Sequence, residues 1–162
     1  MKDILFYTDE YVFGYRVAGV CMHNGSVLLQ KPVGSDDYAF PGGHVGLGET
    51  NEQTLIREFK EEMGADIKVG GLKWIGELFF PWGDKKCHQI CLYYEVEITD
   101  DKTPKSGYFT GLELHENKEF DIEFHWIPVE KTNNYQIYPT QAGKWLSSDD
   151  KDVKHFIYTE EI

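Results

Sequence analysis

Residues 43–65, GHVGLGETNEQTLIREFKEEMGA, decide how this chain is read. From Thr50 onward the apolar residues follow a helical period, with Leu55, Ile56, Phe59 and Met63 spaced to share one face. Thr50 and Gln53 make a T-x-x-Q capping box, and Gly64 is placed to end the helix. The predicted helix carries an electrostatic conflict. Glu58, Glu61 and Glu62 stand at i, i+3 and i+4 and crowd one side, where each like-charge pair costs about 0.2–0.5 kcal/mol. Glu61 and Glu62 also lie near the negative end of the helix dipole. Arg57 offsets part of this by pairing with Glu61 one turn on. A divalent cation offsets more, because hard ions favour oxygen clusters and share them with phosphates. Taken alone, E-x-x-E-E equally describes a solvated acidic face.

Working outward, residues 15–22 and 26–30 are apolar and rich in β-branched side chains, joined by an Asn24-Gly25 hairpin turn. Residues 31–38 read as a polar loop, and Pro41-Gly42-Gly43 imposes a sharp backbone feature before the helix. Strand-like runs follow at residues 67–80, 89–98 and 123–129. Residues 99–118 are polar and turn-rich, which predicts a loop. A second helix is expected over residues 140–146, after Pro139, and a final strand or extended tail over 153–159. Strands flanking helices make this an α/β chain with helices packed on a mixed sheet.

The composition sets further bounds. The chain has 162 residues and 41% hydrophobic content, enough for one domain with a buried core, here residues 1–162. A net charge of −12 repels a nucleic-acid backbone and disfavours an anionic membrane surface, so no long nucleic acid and no membrane is expected as partner. No apolar run approaches the roughly 20 residues of a membrane span, and the first residues lack the pattern of a signal peptide. A cytoplasmic location is therefore expected. Cys21, Cys87 and Cys91 are too few for a disulfide scaffold. A zinc site at Cys87, His88 and Cys91 is disfavoured, since strand alternation sends His88 to the other face.

The pattern around the helix resembles the Nudix box, Gly-x5-Glu-x7-Arg-Glu-U-x-Glu-Glu-x-Gly-U, with U a bulky aliphatic residue. Gly43, Glu49, Arg57, Glu58, Glu61, Glu62 and Gly64 fill all seven fixed positions. Phe59 and Ala65 take the U positions, one larger and one smaller than usual. The flanking Phe40-Pro41-Gly42-Gly43 and His125-Trp126-Ile127-Pro128 look like the same family. This resemblance implies an α/β/α sandwich, a mixed β-sheet flanked by helices. It also implies hydrolysis, dependent on Mg²⁺ or Mn²⁺, of a nucleoside diphosphate linked to another moiety. The substrate would be a small nucleotide such as an NTP, an oxidised dNTP or an ADP-sugar. Relatives are commonly dimers, which makes a homodimer the assembly to test.

Residue by residue, the resemblance places the metal on Gly43, through its carbonyl, and on Glu58, Glu61 and Glu62. Arg57, Glu58 and Glu61 would serve catalysis, Arg57 by orienting the glutamates, while Glu49 would join the metal or brace the loop. In the family the general base is often a glutamate outside the box. Glu113, Glu116, Glu119 and Glu123 are the candidates, and Glu119 is favoured as a loop residue able to swing over the metals. For substrate, Arg16 is a candidate phosphate contact, and Phe80 and Trp82, with Phe79, are candidates to stack on a base. Pro81, sixteen residues beyond Ala65, looks like the ADP-ribose-type members. Three other readings compete with this one. A catalytically silent nucleotide-binding or regulatory protein is the main alternative, although such relatives usually lose a box glutamate. Isopentenyl diphosphate isomerisation resembles a reaction needing a cysteine before the box, and residues 31–41 contain none. Decapping of long RNA conflicts with the acidic balance.

Overall fold

The computed structural model describes residues 2–115 and 117–161. Its first half runs β1 (Leu5–Tyr7), β2 (Tyr11–His23), β3 (Ser26–Pro32), β4 (Asp37–Ala39), β5 (Gly42–His44) and α1 (Asn51–Met63). There follow β6 (Ile67–Trp82), β7 (Lys85–Ile98), β8 (Tyr108–His115) and β9 (Lys118–Pro128). A 3₁₀ turn at Val129–Asn134 leads to β10 (Gln136–Tyr138), α2 (Thr140–Lys144) and β11 (Lys154–Thr159).

The sheet is mixed. β2 runs parallel to β7 from Tyr11 to Cys21, β7 is antiparallel to β6, and β6 is parallel to β11. The other edge of β2 is shared by three partners in succession. β1 pairs with it near Phe13, β5 at Arg16–Ala18, and β3 only at Met22 and His23. β3 therefore leaves β2 just after the hairpin and joins β9 and β4 instead. The result is a sheet that divides, with β5 and the loop into α1 occupying the division.

Strand alternation builds two cores, one on each face. Val17, Cys21 and Leu28 point toward α1 and pack with Leu55 and Phe59. Their neighbours Ala18, Val20, Val27 and Leu29 point the other way, to Trp74, Tyr93, Ile137, Phe156 and Ala142 of α2. Helices thus cover both faces of a mixed sheet, the α/β arrangement expected. Among the described residues, no helix is long and apolar enough to cross a membrane.

Local chemistry explains where elements begin and end. The Asn24-Gly25 turn has φ of 48° and 76°, the pair of positive values that a two-residue hairpin requires. Thr50 accepts from the Gln53 amide and Gln53 returns a bond to the Thr50 amide, so the capping box is formed, and Gly64 ends α1 at φ 71°. Ile56 departs from the expected face, being 43% exposed, whereas Thr54 and Glu62 are buried beside Leu55 and Phe59. The box glutamate, rather than the isoleucine, points inward. His88 lies between the rings of Phe13 and Phe79, away from buried Cys87 and Cys91, and all three cysteines are free. The second helix is shorter than expected, with Trp145 and Leu146 packing just past its end.

The largest correction concerns residues 99–118, expected to be a loop. Their second half forms β8, paired antiparallel with β9 from Tyr108 to His115. A polar composition hid this strand because only one face is covered: Phe109 stacks on Phe124, while Leu112 and Leu114 stay exposed. Gly111 allows the closest approach of helix to hairpin, since a Cβ there would lie 2.1 Å from the Glu62 carbonyl oxygen. That neighbour is backbone and has little room to yield. Gly111→Ala is expected to lower stability by about 1–3 kcal/mol, the ordinary cost of overpacking, read as a fall in the urea midpoint at unchanged slope.

Candidate active site

The division of the sheet sets the helix α1 against the bare backbone of the loop before it. Gly42 sits so close to β2 that a Cβ would meet the Val17 carbonyl oxygen at 2.0 Å. At Gly43 a Cβ would lie 2.3 Å from the Glu58 carboxyl carbon. The two glycines are therefore demanded by contact: one by the strand beneath, the other by the carboxylate above.

Arg57 holds the acidic helix together. Its Nε and Nη2 donate to Glu49 Oε1 at 2.8 Å and Oε2 at 2.9 Å, a two-pronged clamp. Nη1 donates to Glu58 Oε1 at 2.8 Å and to Glu61 Oε2 at 3.3 Å. Thr54 Oγ1 and the Gly46 amide also donate to Glu49, at 2.7 and 3.3 Å. Hydrogen bonds from Arg57, then from Thr54, hold the Glu49 carboxyl down from its ordinary 4.5 to about 2. Glu49 thus braces the loop against the helix.

Glu58 and Glu62 behave in the opposite way. Burial, only partly offset by Arg57, pushes the Glu58 carboxyl up. Glu62 is 6% exposed, and its Oε2 has no hydrogen-bond partner among the described residues. Burial first, then the charges of Glu58 and Glu113, raise it well above the ordinary carboxylate range. Glu61 is the outermost of the three, with 58% of its side chain exposed. Among the described residues no three His, Cys, Asp or Glu side chains converge closely enough to form a metal cluster as they stand. The donor set nevertheless fits a hard divalent ion: oxygen only, one buried carboxylate oxygen unpartnered, and a glycine backbone against a second carboxylate.

The residues expected outside the box separate into two groups. Arg16 and Phe80 line one cavity of about 200 Å³, with Phe40, Gln89, Tyr93 and Glu160. Burial works against the charge of Arg16, yet Cys91, Glu113 and Glu62 nearby keep it protonated. Arg16 therefore links the cavity to the box carboxylates. Trp82 lies instead against His44 of the box loop, and Phe79 faces the opposite side with His88.

Glu119 does not occupy a mobile loop. It is exposed on β9, opposite Leu114 in the hairpin. Glu123 is engaged near Lys31 at 3.7 Å and His125 at 3.4 Å. Glu116 lies outside the described residues. Glu113, on the face of β8 shared with Gly111, is the outside glutamate whose charge reaches Glu62. Sequence reasoning also missed Asp3. The Ile4 amide donates to the Val45 carbonyl and the Leu47 amide to the Lys2 carbonyl, which lays Asp3 along the box loop. Burial raises its carboxyl, against the pull of Arg57. Only the alternation of residues 2–7 beside the loop carries that information, and three residues of strand give no distinct pattern.

The Arg57–Glu49 clamp has a pH signature. A folded-state value near 2 against an ordinary 4.5 means that the stability from Glu49 is present above pH 4.5 and lost as pH falls toward 2. Glu49→Gln is expected to flatten the decline in the unfolding midpoint across that window. Arg57→Ala, which takes a donor from three carboxylates, is expected to cost about 2 kcal/mol at pH 7, measured by denaturant unfolding.

Comparison with known proteins bears on the family and the fold. The chain is 33% identical to an ADP-ribose pyrophosphatase of Methanocaldococcus jannaschii over 51% of this chain and 49% of that one. It is 28% identical to a putative 8-oxo-dGTP diphosphatase, YtkD, of Bacillus subtilis over 78% of this chain and 80% of that one. The match thus spans about half the archaeal relative, and other curated relatives are matched over only 25 to 36% of their length. Among solved structures, a mutator MutT protein from Bacillus halodurans superposes with a TM-score of 0.60 at 19% identity, covering 90% of each chain, a likeness of fold. The model of the NUDIX domain matches residues 14–147, the span that holds the divided sheet, the Arg57 clamp and the buried glutamates, and the chain belongs to the NUDIX family.

Proposed function

We propose that the chain is a pyrophosphohydrolase that uses Mg²⁺ or Mn²⁺ to cleave the phosphoanhydride of a small nucleoside diphosphate derivative. The observation that carries this reading is the buried Glu62 carboxylate, unpartnered at Oε2 and beside Glu58, on a helix whose own arginine leaves it free. A buried anion without a partner is costly, and a bound cation removes that cost. Glu58, Glu61, Glu62 and the carbonyl of Gly43 would hold it. When bound, the ion would neutralise pyrophosphate charge and acidify water, the part of the chemistry that carboxylates alone do not supply.

The remaining roles follow from position. Glu113 takes the proton as water oxygen bonds to phosphorus, and the bridging P–O bond breaks with its electron pair leaving on the departing phosphate. Its place beside Glu62 favours it over the exposed Glu119. Arg57 positions Glu58 and Glu61 without touching substrate. Arg16, between the box and the cavity, draws the phosphate oxygens, and Phe80 with Phe40 and Tyr93 forms a wall for the nucleoside. Trp82 lies outside this cavity, against His44 of the box loop. Relatives named for ADP-ribose and for 8-oxo-dGTP support a small nucleotide as substrate. The net charge of −12 argues against long RNA.

Two measurements test this. With Mg²⁺ or Mn²⁺, the protein should release a monophosphate from some member of a panel of NTPs, oxidised dNTPs and ADP-sugars, and Glu62→Gln should slow that at least about a hundredfold. An undiminished rate in that variant removes the metal assignment. Glu113→Gln should lower kcat by about 10²–10⁴ with little change in KM, whereas Glu119→Gln should leave kcat as it was.

A further inference from the structure

The hairpin of β8 and β9 carries its inner face past the end of α1. Phe124, Ile122 and Phe120 follow one another on that face, at 0%, 1% and 46% exposure. Gly111, opposite Ile122, lies against the Glu62 carbonyl of the last helical turn. The cover over this face thus reaches Ile122 and gives out at the next pair. That pair is Glu113 and Phe120, directly opposed in the antiparallel ladder, with Cβ atoms about 4.5–5.5 Å apart. Lys118, also exposed, stands two residues further along the same face.

A single exposed ring is ordinary on a protein surface. Two observations set this one apart. It shares its face with Glu113, whose charge bears on Glu62 and Arg16, so it borders the reaction centre proposed above. It also has a lysine beside it in a chain of net charge −12. A ring and an ammonium together suit an anionic ligand that carries a ring of its own.

The chemistry of the bond narrows that ligand. A phosphoanhydride has two halves. The cavity beside Arg16 belongs to the face of the sheet away from α1, with Ala18, Phe40 and Tyr93, and takes the nucleoside half. The other half extends toward α1 and Glu113. In a nucleoside triphosphate that half is bare phosphate, which calls for donors and cations and has no use for a phenyl face. In a two-headed nucleotide it ends in a ring. We infer that Phe120 forms a second substrate subsite, stacking on the moiety borne by the far phosphate, so that a two-headed nucleotide is preferred to a triphosphate. This rests on the reading above that places the phosphates at the box.

The test is calorimetric titration of the full chain, with Mg²⁺, against two non-hydrolysable ligands: α,β-methylene-ADP and α,β-methylene diadenosine diphosphate. They differ only in whether the second phosphate bears a second nucleoside, and the guanosine pair is run beside them. The two-headed ligand should bind at least about tenfold more tightly. Phe120→Ala should bring the two within about threefold, and Phe120→Trp should restore the gap. Leu114→Ala, exposed on the other face of the same hairpin, should leave both affinities as they were. Unfolding midpoints show that each variant is folded. Equal affinity for both ligands, no binding of either, or a gap that survives Phe120→Ala overturns the inference. No bond breaks in this titration, so the two readings fail separately. A gap that depends on Phe120, without phosphate release from any substrate, removes the hydrolase and keeps the subsite. Turnover without a gap does the reverse.

Discussion

Four carboxylates depend on one guanidinium. Without Arg57, the i, i+3, i+4 glutamates of α1 would repel one another at the unfavourable end of the helix dipole, and the loop before the helix would lose its tie to it. With it, Glu49 is gripped by two prongs and Glu58 and Glu61 are drawn to the third nitrogen. Asp3 feels the same charge. The arrangement leaves Glu62 out. It is the most deeply buried box glutamate, beside Glu58, and its buried Oε2 has no hydrogen-bond partner among the described residues. The Arg57 guanidinium is thus spent on ordering the loop and the outer glutamates and donates no hydrogen bond to Glu62.

The divided sheet makes that arrangement possible. Had β3 stayed on β2 beyond the hairpin, no edge would remain for β5, and the Gly42-Gly43 backbone would have no seat on Val17 and Ala18. The same division lets Arg16 carry influence between the two sides. It belongs to the face of Ala18 and the cavity, yet its charge balances Glu62 and Glu113 by α1. The phosphate and nucleoside positions proposed above would thereby lie on either side of one buried cation.

Much of the active helix was legible along the chain. The period of Leu55 and Phe59, the Thr50–Gln53 cap and the Gly64 stop are all local, set by contacts within four residues, and each is present. The hairpin at Asn24-Gly25 was legible for the same reason. Ile56 was misread because hydrophobicity alone does not say which of two adjacent residues turns inward; packing of the Glu62 side against Gly111 decided that. Strand β8 was misread because its polar and small residues are stabilised by β9 and by α1, neither of which its own composition reveals.

What the amino-acid order determined by itself was the helix, its caps, the glycines and the set of acids, since these rest on neighbours in sequence and on steric limits of single residues. Only the tertiary structure decided which acid is buried, which outside glutamate stands by it, and that residues as distant as Arg16, Gln89 and Glu160 share one cavity. Desolvation and charge coupling act through space, and the distances that set them exist only once β2, β7, β8 and β11 have taken their places in the sheet.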